Sequence, residues 1–372
     1  MQKQKSITIF LIVASMYVLT GCKGEVQKRA KPILNKTPDQ LLIKKPEGLK
    51  TPEGMIWIEG KIFTKGAKAT DSFAMPREFP AHQVAVDGFF IDIHEVTNAQ
   101  FSKFVKETQY ITVAERPIDW EVMKNDLPPG TPKPADSVLQ PGSLTFNRAV
   151  DAVVSMDNYS QWWTWKIGAN WKHPEGPNSS IDGKEDLPVV HIAYEDALAY
   201  CKWAKKRLPT EAEWEAAAQG TFTDKIYTWG NDNSKLNAKA NTWQGQFPVK
   251  NEAVDGYKFI APVGSYPSNS VGLYDMLGNV WEWVSDPYNE NYYRTLDSKN
   301  IILNPKGADT SYNPNNPYQK ERTIKGGSFL CHASYCASFR ISAKMPMTPD
   351  SSSDHTGFRT VTTPEMLSDN PK

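Results

Sequence analysis

Apolar and polar positions along the chain alternate in short pieces broken by Gly, Pro, Asn and Trp, and a helical period is sustained in few places. One helix is predicted after Thr97, a suitable N-cap, because Phe101, Phe104 and Val105 then share a face. Another is predicted from Thr210, where the run TEAE supplies a capping box through Glu213 and Gly220 supplies a stop. Ala197, Leu198, Cys201 and Ala204 in DALAYCKWAKKR also recur at helical spacing, so Cys201 reads as a small buried apolar residue. Residues 119–158 are Pro-rich and polar, and residues 287–320 are loaded with Asn, Tyr and Pro; both are expected to be long surface loops. With no internal repeat and no long strand series, the pattern predicts an α/β protein poor in regular structure. It is read as a single domain over residues 51–364 with a short C-terminal tail, 365–372.

The first residues break this pattern. Lys3 and Lys5 precede the apolar run ITIFLIVASMYVLT, which is short for a transmembrane span and has the form of an export signal over residues 1–21. It ends in Leu19-Thr20-Gly21-Cys22, which resembles the lipobox of bacterial lipoproteins. That resemblance implies lipidation of Cys22 and anchorage to a membrane on its periplasmic or cell-surface side. An ordinary signal peptide with a chance cysteine is the plainer reading of the same residues. Residues 22–50, rich in Lys, Pro and polar side chains, are expected to be a flexible tether. Basic and acidic residues balance at 42 each, which removes nucleic acid from the expected partners.

The chain has four cysteines, and two of them, Cys331 and Cys336, stand in GGSFLCHASYCASFR (326–340). A helix would turn these two about 140° apart and a strand would send them to opposite faces, so only a bent segment brings both sulfurs to one point. Gly326 and Gly327 give the backbone that freedom. Convergence admits a structural disulfide, a redox dithiol, or two thiolates on a soft metal such as Cu(I). Two cysteines in an exported protein commonly pair, yet Ser328, His332, Ser334 and Tyr335 surround these with polar groups that a staple does not need. Zinc is disfavoured, because no second ligand pair stands at zinc spacing and the six histidines are scattered singly.

Four blocks, GANWKHPEGP (168–177), KRLPTEAEWEAAAQG (206–220), GLYDMLGNVWEWVSD (272–286) and GGSFLCHASYCASFR with TPDSSSDHTGFR (348–359), together resemble the formylglycine-generating enzymes, also called sulfatase-modifying factors. The resemblance runs from about Gly54 to Arg359. RLPTEAEWE and GNVWEW mark the wider superfamily; the cysteine block with TPDSS is more selective. The resemblance implies a formylglycine-generating-enzyme fold related to C-type lectins. It implies an oxidase that uses molecular oxygen to convert the cysteine of a Cys-x-Pro-x-Arg segment, in an unfolded sulfatase, to Cα-formylglycine. It also implies Cu(I) between Cys331 and Cys336, in keeping with the preference of thiolates for that ion, with Ser328, Tyr335 and Trp281 lining the copper and oxygen pocket. Trp162, Ser352 and His355 match positions in the peptide cleft, His355 standing where some relatives have Asn. Two Ca2+ sites are implied as well: Asn241 and Asp255 with carbonyls of Thr242 and Tyr257, and Asp275 and Glu282 with carbonyls of Gly278 and Val280. Taken by themselves these acids read as solvated loop charges, although their oxygens are of the type that hard cations take.

Two departures and three competing readings complete the expectation. Thr360 stands where some relatives carry a cysteine that pairs with the one matching Cys201, so that disulfide is not expected. The insert at 287–320 is expected to cover or narrow one side of the cleft. The main alternative is a binding or scaffold lipoprotein of the gliding-motility type, which keeps the fold without the chemistry; the cysteine pair separates it from the enzyme. A non-haem iron sulfoxide synthase would need a His-x3-Glu-x-His cluster, and a disulfide-exchange enzyme would normally display CxxC.

Overall fold

The computed structural model describes residues 37–297 and 299–368, all within one compact unit, Lys36–Lys372. The expected export signal and Cys22 lie outside the described residues. The domain opens with β1 (Met55–Ile58), β2 (Lys61–Lys65), β3 (His82–Val86) and β4 (Phe89–Asp92), then α1 (Asn98–Thr108), the single turn α2 (Trp120–Met123), β5 (Gly142–Phe146) and β6 (Trp163–Ile167). Two helices, α3 (Tyr194–Ala204) and α4 (Glu211–Gln219), precede the short strands β7 (Gly245–Gln246) and β8 (Lys250–Asn251). The remainder comprises β9 (Trp281–Pro287), α5 (Tyr292–Thr295), β10 (Ile302–Leu303), β11 (Arg322–Lys325), β12 (Lys344–Met347), β13 (Thr356–Gly357), β14 (Val361–Thr362) and α6 (Pro364–Ser368). These strands form sheets ordered β1-β4-β14, β10-β3-β2 and β12-β11-β9-β13, with hairpins β5-β6 and β7-β8.

Local chemistry sets the helices where the caps predicted them. The Thr97 hydroxyl accepts from Gln100 N, and the Gln100 side chain returns to Thr97 N at 2.9 Å. Phe101 and Phe104 then point into the core, where Phe101 meets Trp171 and Phe358 edge to face. At α4 the Thr210 hydroxyl accepts from Glu213 N at 3.1 Å, and Glu213 also takes a two-pronged contact from Arg207 at 2.6 and 2.7 Å. Cys201 is buried and free on α3, and Thr360 gives its hydroxyl to Asp92 instead of offering a disulfide partner.

The sheet β12-β11-β9-β13 positions the site because its side chains alternate between two unlike faces. Lys325 pairs with Lys344 on one side and Glu282 on the other, and all three are buried among charges beneath α4. Their neighbours Ile324 and Met345, also paired, point the opposite way, as does Trp281.

Three expectations need correction. Residues 119–158 are not all loop: Gly142–Phe146 pairs along its length with Trp163–Ile167, a strand whose partner lies too far along the chain for local turn signals to reveal. In the 287–320 segment, Ile302–Leu303 adds to β3 in parallel and Tyr293 is buried against Glu211 and Lys65. The tether ends earlier than residue 50, since Gly88 N donates to Leu42 O and Gly60 N to Ile43 O.

Candidate active site

Gly326 and Gly327 both adopt positive φ, 91° and 77°, and a Cβ on Gly327 would meet the Ser338 and Phe339 backbone at about 3 Å. The chain then turns twice: Cys331 N donates to Ser328 O at 2.9 Å, and Cys336 N donates to His332 O at 2.8 Å. These turns bring Cys331 Sγ and Cys336 Sγ to 2.8 Å, both as free thiols. That separation exceeds the ~2.05 Å of a disulfide bond. Ser328 N–H points at Cys331 Sγ at 3.4 Å.

The sulfurs lie in a cavity of about 340 Å³, whose wall includes Ser328, Tyr335, Trp281 and His355. Apolar groups make up most of the remainder: Leu144, Ile324, Leu330, Pro346, Met345, Met347 and Trp163. Burial pushes the Cys331 thiol well up, whereas the hydrogen bond with Cys331 brings Cys336 down to about 7. Burial also pushes His355 down to about 3, leaving a neutral imidazole whose Nδ1 is 3.1 Å from the Ser328 hydroxyl.

Two predicted cleft residues do not reach this cavity. Trp162 is fully buried behind it, against Phe247 and the edge of Tyr335, and its neighbour Trp163 takes the wall position, 4.9 Å from the His355 ring. Ser352 turns away to the Ser143 hydroxyl at 2.7 Å, which meets His191 Nδ1 at 2.7 Å, and Ser353 faces the cavity instead. A one-residue displacement of this kind cannot be read from a row of adjacent tryptophans or serines. Among the described residues of the 287–320 insert, none lines this cavity.

The oxygens expected to hold calcium are partly in place. Asp255 Oδ2 accepts from Thr242 N and Gln244 Nε2, and Gln244 Nε2 also donates to Thr242 O, so one amide bridges two of the four expected ligands. Asn241 Oδ1 is buried without a partner. In the second set, Glu282 is taken up by Arg359, at 2.7 Å to each oxygen, and by Trp214 Nε1. Asp275 is pushed up to about 6 by burial, and Glu95, which the sequence did not single out, is pushed well up by burial and by Asp275 and keeps Oε2 unpartnered. Glu282, Glu95 and Asp275 thus share the field of the one Arg359 guanidinium. Asn279, also missed, links the two sets through Asn241 and Glu95. Among the described residues no three of His, Cys, Asp and Glu converge as a ready metal cluster, so any calcium would depend on amide and backbone oxygens.

Fold and site thus define a mixed α/β domain that carries a converging dithiol at the base of a neutral cavity. The chain belongs to the sulfatase-modifying factor enzyme family, whose enzyme 1-like domain matches residues 41–364. It is 42% identical to the formylglycine-generating enzyme of Bos taurus, over 76% of this chain and 67% of that one. It is 42% identical to that of Thermomonospora curvata, over 80% and 90%. It is also 36% identical to the inactive C-alpha-formylglycine-generating enzyme 2 of Mus musculus, over 76% and 77%. Among solved structures, PvdO from Pseudomonas aeruginosa shares the fold, with a TM-score of 0.52 at 21% identity over 82% of this chain and 93% of that one.

Proposed function

We propose that this protein is a copper-dependent formylglycine-generating oxidase acting on the cysteine of a Cys-x-Pro-x-Arg segment in unfolded sulfatases. The observation that carries the reading is the meeting of Cys331 and Cys336, as free thiols, at one point of an apolar cavity. Two sulfurs with no third protein ligand suit Cu(I) and leave room for a substrate thiol. Bound there, Cu(I) would supply the reaction with oxygen that side chains alone cannot perform. The chain's own groups bind and orient. Cys331 and Cys336 hold the ion, Ser328 N–H stabilises the Cys331 sulfur, and the Ser328–His355 contact fixes a neutral polar edge beside it. Trp281, Trp163 and Leu144 present apolar surface against which a substrate cysteine can be oriented. Two-electron oxidation of the substrate thiol, with oxygen as acceptor of the electrons and protons, gives the thioaldehyde, and attack of water on that carbon leaves the aldehyde with its sulfur released as hydrogen sulfide.

The same proposal includes two calcium ions, at Asn241, Thr242, Asp255 and Tyr257 and at Asp275, Gly278, Val280 and Glu282, which would brace the loops behind the site. It also includes export and a lipid anchor at Cys22. Among the described residues no helix is long and apolar enough to cross a membrane.

The likeness to proteins named inactive favours one second reading, a scaffold of the same fold. Incubating the copper-loaded protein with a Cys-x-Pro-x-Arg peptide under oxygen, with hydroxylamine trapping and mass spectrometry, separates the two. The oxidase forms aldehyde; a scaffold returns the peptide unchanged.

A further inference from the structure

Besides the two cysteines, two more sulfur side chains line the same cavity, Met345 and Met347 on the edge strand β12. Being two apart on one strand, they share the face that looks away from the buried charges. Their setting is graded: both methionines and Cys336 are half-buried, whereas Cys331 is almost wholly enclosed. The two thioethers are not equivalent. Arg77 Nη2 lies 2.6 Å from Met345 Sδ, so that sulfur is engaged by a cation. Met347 Sδ has only a long 3.7 Å contact from the Thr356 hydroxyl, and Thr356 in turn touches Ser353, itself on the cavity wall. Thioethers are soft, neutral ligands that accept Cu(I) but hold it less firmly than thiolates.

We propose that Met347 is a Cu(I) entry ligand, receiving the ion at its half-buried thioether and passing it to Cys336 and the more enclosed Cys331. The inference rests on the copper reading above. The transfer is redox-neutral: copper arrives and stays as Cu(I), the thioether bond breaks as two thiolate bonds form, and the two thiol protons leave to solvent. Met345, restrained by Arg77, packs beside this path without serving as a ligand.

The test is anaerobic stopped-flow transfer from the Cu(I)–bicinchoninate complex to the metal-free protein, followed by loss of the complex's colour. Met347→Leu preserves shape and apolar packing while removing the sulfur. It should slow transfer roughly ten-fold with the final copper content unchanged, whereas Met345→Leu should slow it less than about two-fold. In the protein lacking both thiols (Cys331→Ser with Cys336→Ser), weak Cu(I) binding should persist and should vanish when Met347→Leu is added. Loading of Met347→Leu at the parent rate, or equal slowing by Met345→Leu, overturns the inference while leaving the copper reading intact. Failure of the parent itself to take up Cu(I) overturns both.

Discussion

The two faces of the sheet β12-β11-β9-β13 solve opposite problems with the same strands. On one face Lys325, Lys344 and Lys65 meet Glu211 and Glu215, with Lys325–Glu215 at 2.9 Å and Lys65–Glu211 at 3.0 Å, all nearly inaccessible to water. On the other face, one residue along each strand, Ile324, Met345 and Trp281 border a cavity without a formal charge except what the cysteine pair can carry. The ionic face locks α4 to the sheet through geometry that tolerates little movement, and removing one partner would strand the others. The sulfur face has no charged side chain in its lining beyond the cysteine pair, with Arg77 reaching it through Met345 Sδ, so a thiolate there meets mainly soft and apolar neighbours. Strand alternation lets one short element serve a rigid frame and a reactive site at once.

The largest break in this comparison is on the sulfur face. Cys331→Ser or Cys336→Ser should lower aldehyde formation by at least ~10³-fold while shifting the melting temperature little, measured by peptide turnover and calorimetry. Next is the ionic face: Lys325→Met leaves Glu215 without its partner and should cost about 3–5 kcal/mol in urea unfolding. The cavity wall should keep its shape. Loss of activity without loss of stability in the first case, and the reverse order in the second, would confirm that the faces are separable.

A smaller effect tests burial rather than pairing. Asp354, beside His355, is pushed up to about 7 by burial, against an unfolded value near 3.9. Between these values the native state binds the extra proton, so its contribution to stability is complete below about pH 4 and is lost as pH rises through 7. Asp354→Asn should therefore flatten the pH dependence of the urea midpoint in that window, by an amount of order 1 kcal/mol or more. An unchanged slope would mean that Asp354 ionises freely. The smallest effect on activity is expected from Phe101→Ala, which leaves the site untouched: it should cost about 3–5 kcal/mol of stability with turnover per folded molecule unaltered.

How far the sequence discloses this molecule follows from the range of the forces involved. Thr97 with Gln100 and Thr210 with Glu213 are local capping pairs, and the helices they start are legible. The bent segment around Cys331 and Cys336 is legible too, because glycine freedom and the spacing of the thiols lie within fifteen residues. What is hidden depends on contacts far apart in the chain. The pairing of Gly142–Phe146 with Trp163–Ile167, the choice of Trp163 over Trp162 and Ser353 over Ser352, and the gathering of Glu95 with Asp275 are fixed only when distant segments pack. The soft character of Met345 and Met347 carries no meaning until β12 brings them to the sulfurs.

The central claim is that Cys331 and Cys336 jointly hold one Cu(I) ion. Anaerobic Cu(I) titration of the reduced protein, read by sulfur coordination in X-ray absorption, tests it most directly. Saturation is expected at one ion per chain with both thiolates coordinated, with loss of that two-sulfur signature when either cysteine becomes serine. Saturable binding that survives removal of either thiol, or no binding at all, would contradict it.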